Sequence, residues 1–236
     1  MTVRHASRPS RRFAVVAVAI VGLIASGCAA QAEANGPVKA PTPAYDPSAV
    51  GDGLRTAILS GGCFWGIQGV FEHVKGVKQV LSGYAGGSKA TADYELVSTG
   101  TTGHAESVKI TFDPRQISYG EILRIYFSVA TDPTQFNRQF PDVGPQYRGE
   151  IFVMDAVQKA VAERYVAQLE AAHVYRGRIV TRIDAFNGFY PAETYHQDYL
   201  LAHPDSPYIA TYDLPKVAAL KALLPADYRA APVRAL

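Results

Sequence analysis

Cys63 is the residue of this chain best placed to do chemistry. It lies in Gly61-Gly62-Cys63-Phe64-Trp65-Gly66, where glycines end one apolar run and a helical apolar series begins (Phe64, Ile67, Val70, Phe71, Val74). That spacing predicts a thiol at the N-terminus of a helix. The thiolate is the reactive form, and the free N–H groups and dipole of a helix start favour it. Gly62 and Gly66 would let a ligand approach the backbone. A buried structural thiol fits the same placement, since free cysteines are commonly core residues. The second group is Glu106, which opens an otherwise apolar strand face of Val108, Ile110 and Phe112. A desolvated carboxyl there holds its proton near neutral pH and can serve as a general acid. A solvated strand-end Glu is the alternative.

Aromatic residues cluster in the same stretches. Phe64 and Trp65 follow Cys63, and Trp65 is the only tryptophan. Tyr84, Tyr94 and Tyr147 lie in glycine-rich or polar contexts, where a hydroxyl can donate to an oxygen and a ring can hold a thioether. Packing is the plainer reading for any one of fourteen tyrosines. His104 and His196 offer a rival, because a Cys–His pair would mean acyl transfer or peptidase chemistry. Glu193 and His196 are spaced i, i+3 but have no further residues at ligand spacing, so no metal site is expected.

The elements that must hold these groups alternate in type. Strands are expected at Leu54–Leu59, Val77–Tyr84, Ala105–Asp113, Glu150–Met154 and Arg178–Phe186. Helices are expected at Phe64–Val74, from the capping box at Ser118 through Val129, from Asp155 to about His173, and over Ala192–Ala202. Asp132–Gly149 reads as a long loop. The stretch after Pro204 is weakly patterned, with one short helix near Val217–Leu223. Interleaved strands and helices make one layered α/β or α+β domain.

The first 27 residues read as an address. Arg4, Arg8, Arg11 and Arg12 precede an apolar run from Phe13 to Ile24, followed by Ala25-Ser26-Gly27-Cys28. This resembles a lipoprotein signal in which Cys28 is lipidated, so export to the cell envelope or periplasm is expected. Residues 28–53, rich in Ala and Pro, read as a flexible tether. The catalytic domain is then 54–210, with 211–236 as a C-terminal tail. Removing the four signal arginines leaves 19 basic against 21 acidic residues, a balance that points to no nucleic-acid partner. Hydrophobic content of 48% and charged content of 19% exclude wholly disordered and collagen-like classes.

Taken together, the motifs resemble the A-type peptide methionine sulfoxide reductases. Gly62-Cys63-Phe64-Trp65-Gly66 is similar to the family's GCFWG motif, and Gly83-Tyr84-Ala85-Gly86-Gly87 to its GYxGG. Tyr94-Glu95-Leu96-Val97 with Gly103-His104-Ala105-Glu106, Asp142 to Arg148, and Ala192 to Leu200 resemble three more, in the family's order. The resemblance covers about residues 54 to 203. It implies an α+β two-layer sandwich, a mixed central sheet flanked by helices with a ferredoxin-like core. It implies reduction of methionine-S-sulfoxide, free or in proteins, by attack of Cys63 on sulfur, leaving a sulfenic acid on Cys63. Glu106 matches the proton donor, and Tyr94 and Tyr147 match hydrogen-bond donors to the sulfoxide oxygen. Asp142 matches an orienting acid, and Phe64 and Trp65 match the pocket for the methyl group. No bound cofactor is implied. The partners are oxidised methionine in peptides and an external thiol, thioredoxin-like or small, with membrane attachment through Cys28 and a monomeric chain. Many members carry one or two further cysteines that resolve the oxidised enzyme, whereas no cysteine follows Cys63 here.

Overall fold

Period-two alternation builds the sheet. In β1 (Arg55–Ser60), Ala57 and Leu59 face the main core while Ile58 faces the other side of the sheet. The structure, a computed structural model, describes residues 1–2, 35–47 and 53–235. Most of the expected signal segment and Cys28 lie outside the described residues. After β1 come α1 (Phe64–Glu72), β2 (Val77–Ala85), α2 (Tyr94–Ser98), β3 (Ala105–Phe112) and α3 (Tyr119–Ile125). Two-residue strands β4 (Arg138–Gln139) and β5 (Asp142–Val143) pair only with each other. The chain continues through β6 (Glu150–Val153), α4 (Ala156–Ala171), β7 (Arg182–Ala185), β8 (Phe189–Pro191), α5 (Tyr199–Ala202) and α6 (Leu214–Leu223).

The six-stranded sheet runs β7-β6-β1-β3-β2-β8. Every neighbouring pair is antiparallel except β6 with β7, so the sheet is mixed, as expected. Its central order β6-β1-β3-β2, with α1 between β1 and β2 and α3 between β3 and β6, is the ferredoxin-like arrangement. Residues of α1, α3 and α4 share one core with the inner sheet face: Phe64, Ile67, Phe71, Leu123 and Tyr165 pack with Leu59, Val108 and Ile110. Each such fully buried side chain contributes about 1.5–3 kcal/mol relative to exposure. A smaller cluster of Ile58, Ala85 and Phe152, with Phe186 and Phe189, covers part of the other face. Helix starts follow the expected caps: Ser118 accepts from the Glu121 N–H, and Asp155 from the Gln158 N–H at 2.8 Å.

Three segments differ from expectation. Residues 35–47, read as part of a free tether, lie along the domain instead. Val38 donates to the Ser128 carbonyl at 2.9 Å, Arg124 donates to the Ala40 carbonyl at 2.9 Å, and Tyr165 donates to the Pro41 carbonyl at 2.8 Å. Ala40 is fully buried. The expected helix over Ala192–Ala202 is broken. A single 3₁₀ turn at Thr194–His196 is followed by Asp198 at φ 54°, a left-handed position that Asp tolerates. Its carboxylate then receives the Ala235 N–H at 2.8 Å. Finally, residues 211–235 are no separate tail. A π-type turn at Ile209–Asp213 and α6 pack on α1, and Tyr228 bridges to Val74. Residues 35–47 and 53–235 belong to one compact unit.

Candidate functional site

Cys63 caps the N-terminus of α1, directly after Gly62 at φ 109°. An L-residue is strained at that angle, and a Cβ there would also stand 2.7 Å from Gln139. The cysteine is 8% exposed, so its sulfur is withdrawn from open solvent. β3 runs towards the same point. Its inward residue Glu106, 3% exposed, accepts the Phe64 N–H on Oε2 at 3.0 Å. The strand face read from alternation therefore delivers a carboxyl to the first turn of α1.

Electrostatics give the two groups matched proton states. Burial pushes Glu106 up to about 8; the Phe64 N–H pulls it down, and the Asp142 and Asp213 carboxylates push it further up. It therefore holds its proton at neutral pH, with Oε1 left for that proton because Oε2 receives the backbone donor. Cys63 departs from expectation. Burial raises its thiol, the negative fields of Glu106 and Asp213 add to this, and the Trp65 N–H and Lys216 only partly offset it. The helix start does favour the thiolate, but burial outweighs it, with the Asp213 carboxylate and, once ionised, Glu106 adding to it, so the resting cysteine is a thiol.

The other expected residues gather round this pair. Tyr94, at the start of α2, and Tyr147, in the turn after β5, are half-buried. Burial, Glu106 and Cys63 raise both phenols, so both hydroxyls stay protonated and able to donate. Asp142 begins β5 and receives the Tyr208 hydroxyl. Arg148 ties this loop to the residues leading into β3 by donating to the carbonyls of Gly103 at 3.0 Å and His104 at 3.1 Å. Glu193 fixes α2 from the other side, taking the Tyr94 N–H at 3.0 Å and the Tyr84 hydroxyl at 2.8 Å. Phe64 is buried, whereas Trp65 stacks on Tyr199 at 3.8 Å and donates from Nε1 to His196 Nδ1 at 3.1 Å. The result is an aromatic mouth over a thiol and a neutral carboxyl.

The histidines do not form the rival pair. His196 accepts from Trp65 and packs on Phe64 at 5.0 Å and Tyr94 at 4.4 Å. Burial lowers its proton affinity, so the ring is neutral. His104 accepts from the Gly87 N–H at 3.2 Å and meets the Ser88 carbonyl at 2.9 Å. Neither bonds to the Cys63 sulfur among the described residues. Sequence reasoning missed Tyr208, Asp213 and Lys216. Asp213 is fully buried, and Lys216 donates to its Oδ1 at 3.1 Å. Asp213-Leu214-Pro215 was a readable helix-start signal, with proline in the first turn.

The family model described as peptide methionine sulfoxide reductase matches residues 55–225. Peptide methionine sulfoxide reductase MsrA 2 of Mesorhizobium japonicum is 56% identical over 184 residues, covering 78% of this chain and 94% of that protein. The Synechocystis MsrA 2 is 52% identical over 165 residues, covering 70% of this chain and 77% of its own length. Among solved structures, methionine sulfoxide reductase A of Corynebacterium diphtheriae superposes with a TM-score of 0.56 at 31% identity, covering 71% of this chain and 88% of that one. Reduced Mxr1 of Saccharomyces cerevisiae gives 0.60 at 26% identity, covering 72% and 96% respectively.

Proposed function

The chain belongs to the peptide methionine sulfoxide reductase A family, and from that premise we propose that Cys63 and Glu106 carry out its reaction on the S epimer. As a member it is an oxidoreductase that reduces methionine sulfoxide in protein repair. The observation that carries the finer reading is the buried Glu106 carboxyl, bonded to the N–H of the residue after Cys63 and pushed by burial towards its neutral form. A sulfoxide oxygen leaves sulfur poorly unless it gains a proton, and a neutral buried acid supplies one. Cys63 sulfur attacks the sulfoxide sulfur while Glu106 protonates the oxygen. The hydroxyl then passes from the substrate sulfur to the Cys63 sulfur: the S–O bond of the substrate breaks, a new S–O bond forms on Cys63 as a sulfenic acid, and the S–S bond breaks so that methionine leaves with its electron pair. The proton lost by the thiol replaces the one given by the carboxyl. Sulfur of the substrate is reduced and sulfur of Cys63 oxidised, so no other reactant enters this step.

Tyr94 and Tyr147 hold the oxygen by donating to it, and Asp142 keeps its side of the pocket in place. Phe64 and Trp65 receive the S-methyl group, so only one epimer directs its oxygen to the donors. With Cys63 the only cysteine beyond residue 28, the sulfenic acid is discharged by an external thiol, small or thioredoxin-like. Export and lipidation at Cys28 belong to the same reading, supported by the signal-like sequence, and intact mass of the N-terminal peptide from cells tests them. The assay for the reaction offers separate S and R sulfoxide peptides with dithiothreitol. Loss of the S epimer alone, abolished in Cys63→Ser, is expected. Equal consumption of both epimers, or a fully active Cys63→Ser, overturns the proposal.

A further inference from the structure

The first turn of α1 has a second buried carboxyl as neighbour besides Glu106. Gly66 stands three residues after Cys63, and its missing side chain is filled by an ion pair. A Cβ there would lie 2.1 Å from Asp213 Oδ1 and 2.9 Å from Lys216 Nζ. The two are joined at 3.1 Å, and the lysine side chain is only 19% exposed. Asp213 Oδ2 is buried without a hydrogen-bond partner, so the lysine is that carboxylate's main compensation. Lys216 is thus pinned beside the turn that carries the thiol rather than waving in solvent.

The groups facing Cys63 are otherwise acidic or neutral. Glu106 comes from β3 and Asp213 from the turn before α6, while Asp142 of β5 acts on Glu106; Tyr94, Tyr147 and Tyr208 bring phenols, and the neutral His196 ring backs Phe64. Among the described residues, Lys216 is the cationic side chain whose field reaches the sulfur. We propose that Lys216, held against Gly66 by Asp213, is a positioning residue that meets the negative charge formed when the Cys63 sulfur loses its proton. This rests on the reading of Cys63 as the nucleophile. The charge acts through the helix turn and does not touch substrate.

Alkylation of Cys63 by iodoacetamide, read by mass spectrometry of the Cys63 peptide as a function of pH, tests the idea. The reagent is neutral, so Lys216 cannot attract it, and no sulfoxide is needed. Lys216→Met is expected to slow alkylation by more than about threefold at a fixed pH below the thiol's ionisation, with the curve displaced to higher pH. Lys216→Arg keeps the charge and is expected to stay within about threefold of the parent. Thermal melts at each pH establish that the variants are folded, and Lys216→Gln replaces Lys216→Met if the latter does not fold. A Lys216→Met curve that overlays the parent's overturns the proposal, as does a Lys216→Arg curve displaced as far as Lys216→Met. Sulfoxide turnover of Cys63→Ser separately tests the underlying reading, so the two failures are distinguishable.

Discussion

Glu106 and Asp213 are both buried carboxyls set against the first turn of α1, one through the Phe64 N–H and one through the bare backbone at Gly66. Burial raises the proton affinity of each. Their partners then separate them. Glu106 has a single backbone donor and no cation to offset its burial, so it rises to about 8 and keeps a transferable proton. Asp213 has the Lys216 ammonium, which pulls it back towards the charged form. Residue type and burial alone therefore do not assign a role here; the presence or absence of one ammonium group does.

The largest effect that would break this contrast comes from Glu106→Gln. The amide still accepts the Phe64 N–H but has no acidic proton, so single-turnover reduction is expected to fall about 10²–10⁴-fold. Alkylation of Cys63 above pH 8 should instead speed up, because a neighbouring negative charge that holds the thiol proton is gone. Parallel loss of both rates would mean that Glu106 merely supports the fold.

The same substitution has a stability signature with a definite sign. Glu106 titrates near 4.5 unfolded and near 8 folded, so the folded state binds the extra proton and the parent loses stability as pH rises from about 4.5 to 8. Glu106→Gln removes that loss. Its advantage in denaturant melts should grow across that window to on the order of a few kcal/mol and level off above it. A constant difference at all pH values would place the carboxyl in solvent.

Gly66→Ala sharpens the other half of the comparison. The added methyl must displace the Asp213–Lys216 pair, and overpacking of this kind costs about 1–3 kcal/mol. Unchanged melting would show that the pair does not sit against α1.

Much of the site was legible because its residues lie on regular elements with clear signals. Glu106 follows from strand alternation and Cys63 from the Gly-Gly break before a helical series. The rest is written in long-range contacts. Asp213 ends a π-type turn that breaks the apolar period and Lys216 follows it, so local pattern could not tie them to Gly66, far earlier in the chain. The segment 35–47 has no periodicity at all; its order comes from Arg124, Ser128, Tyr165 and Gln168, distant in sequence. The proton state of Cys63 was misjudged for a related reason. A helix start is visible locally, while the burial that outweighs it, with Asp213 adding to it, comes from packing by β3 and the C-terminal segment.

The docking of residues 35–47 also sets a length. Asn35 is held by Asp132, its N–H to Oδ2 at 2.7 Å, seven positions after Cys28. Seven extended residues span at most about 23–25 Å. Any group joined to the chain at Cys28 would therefore lie within that reach of Asp132 on the folded domain.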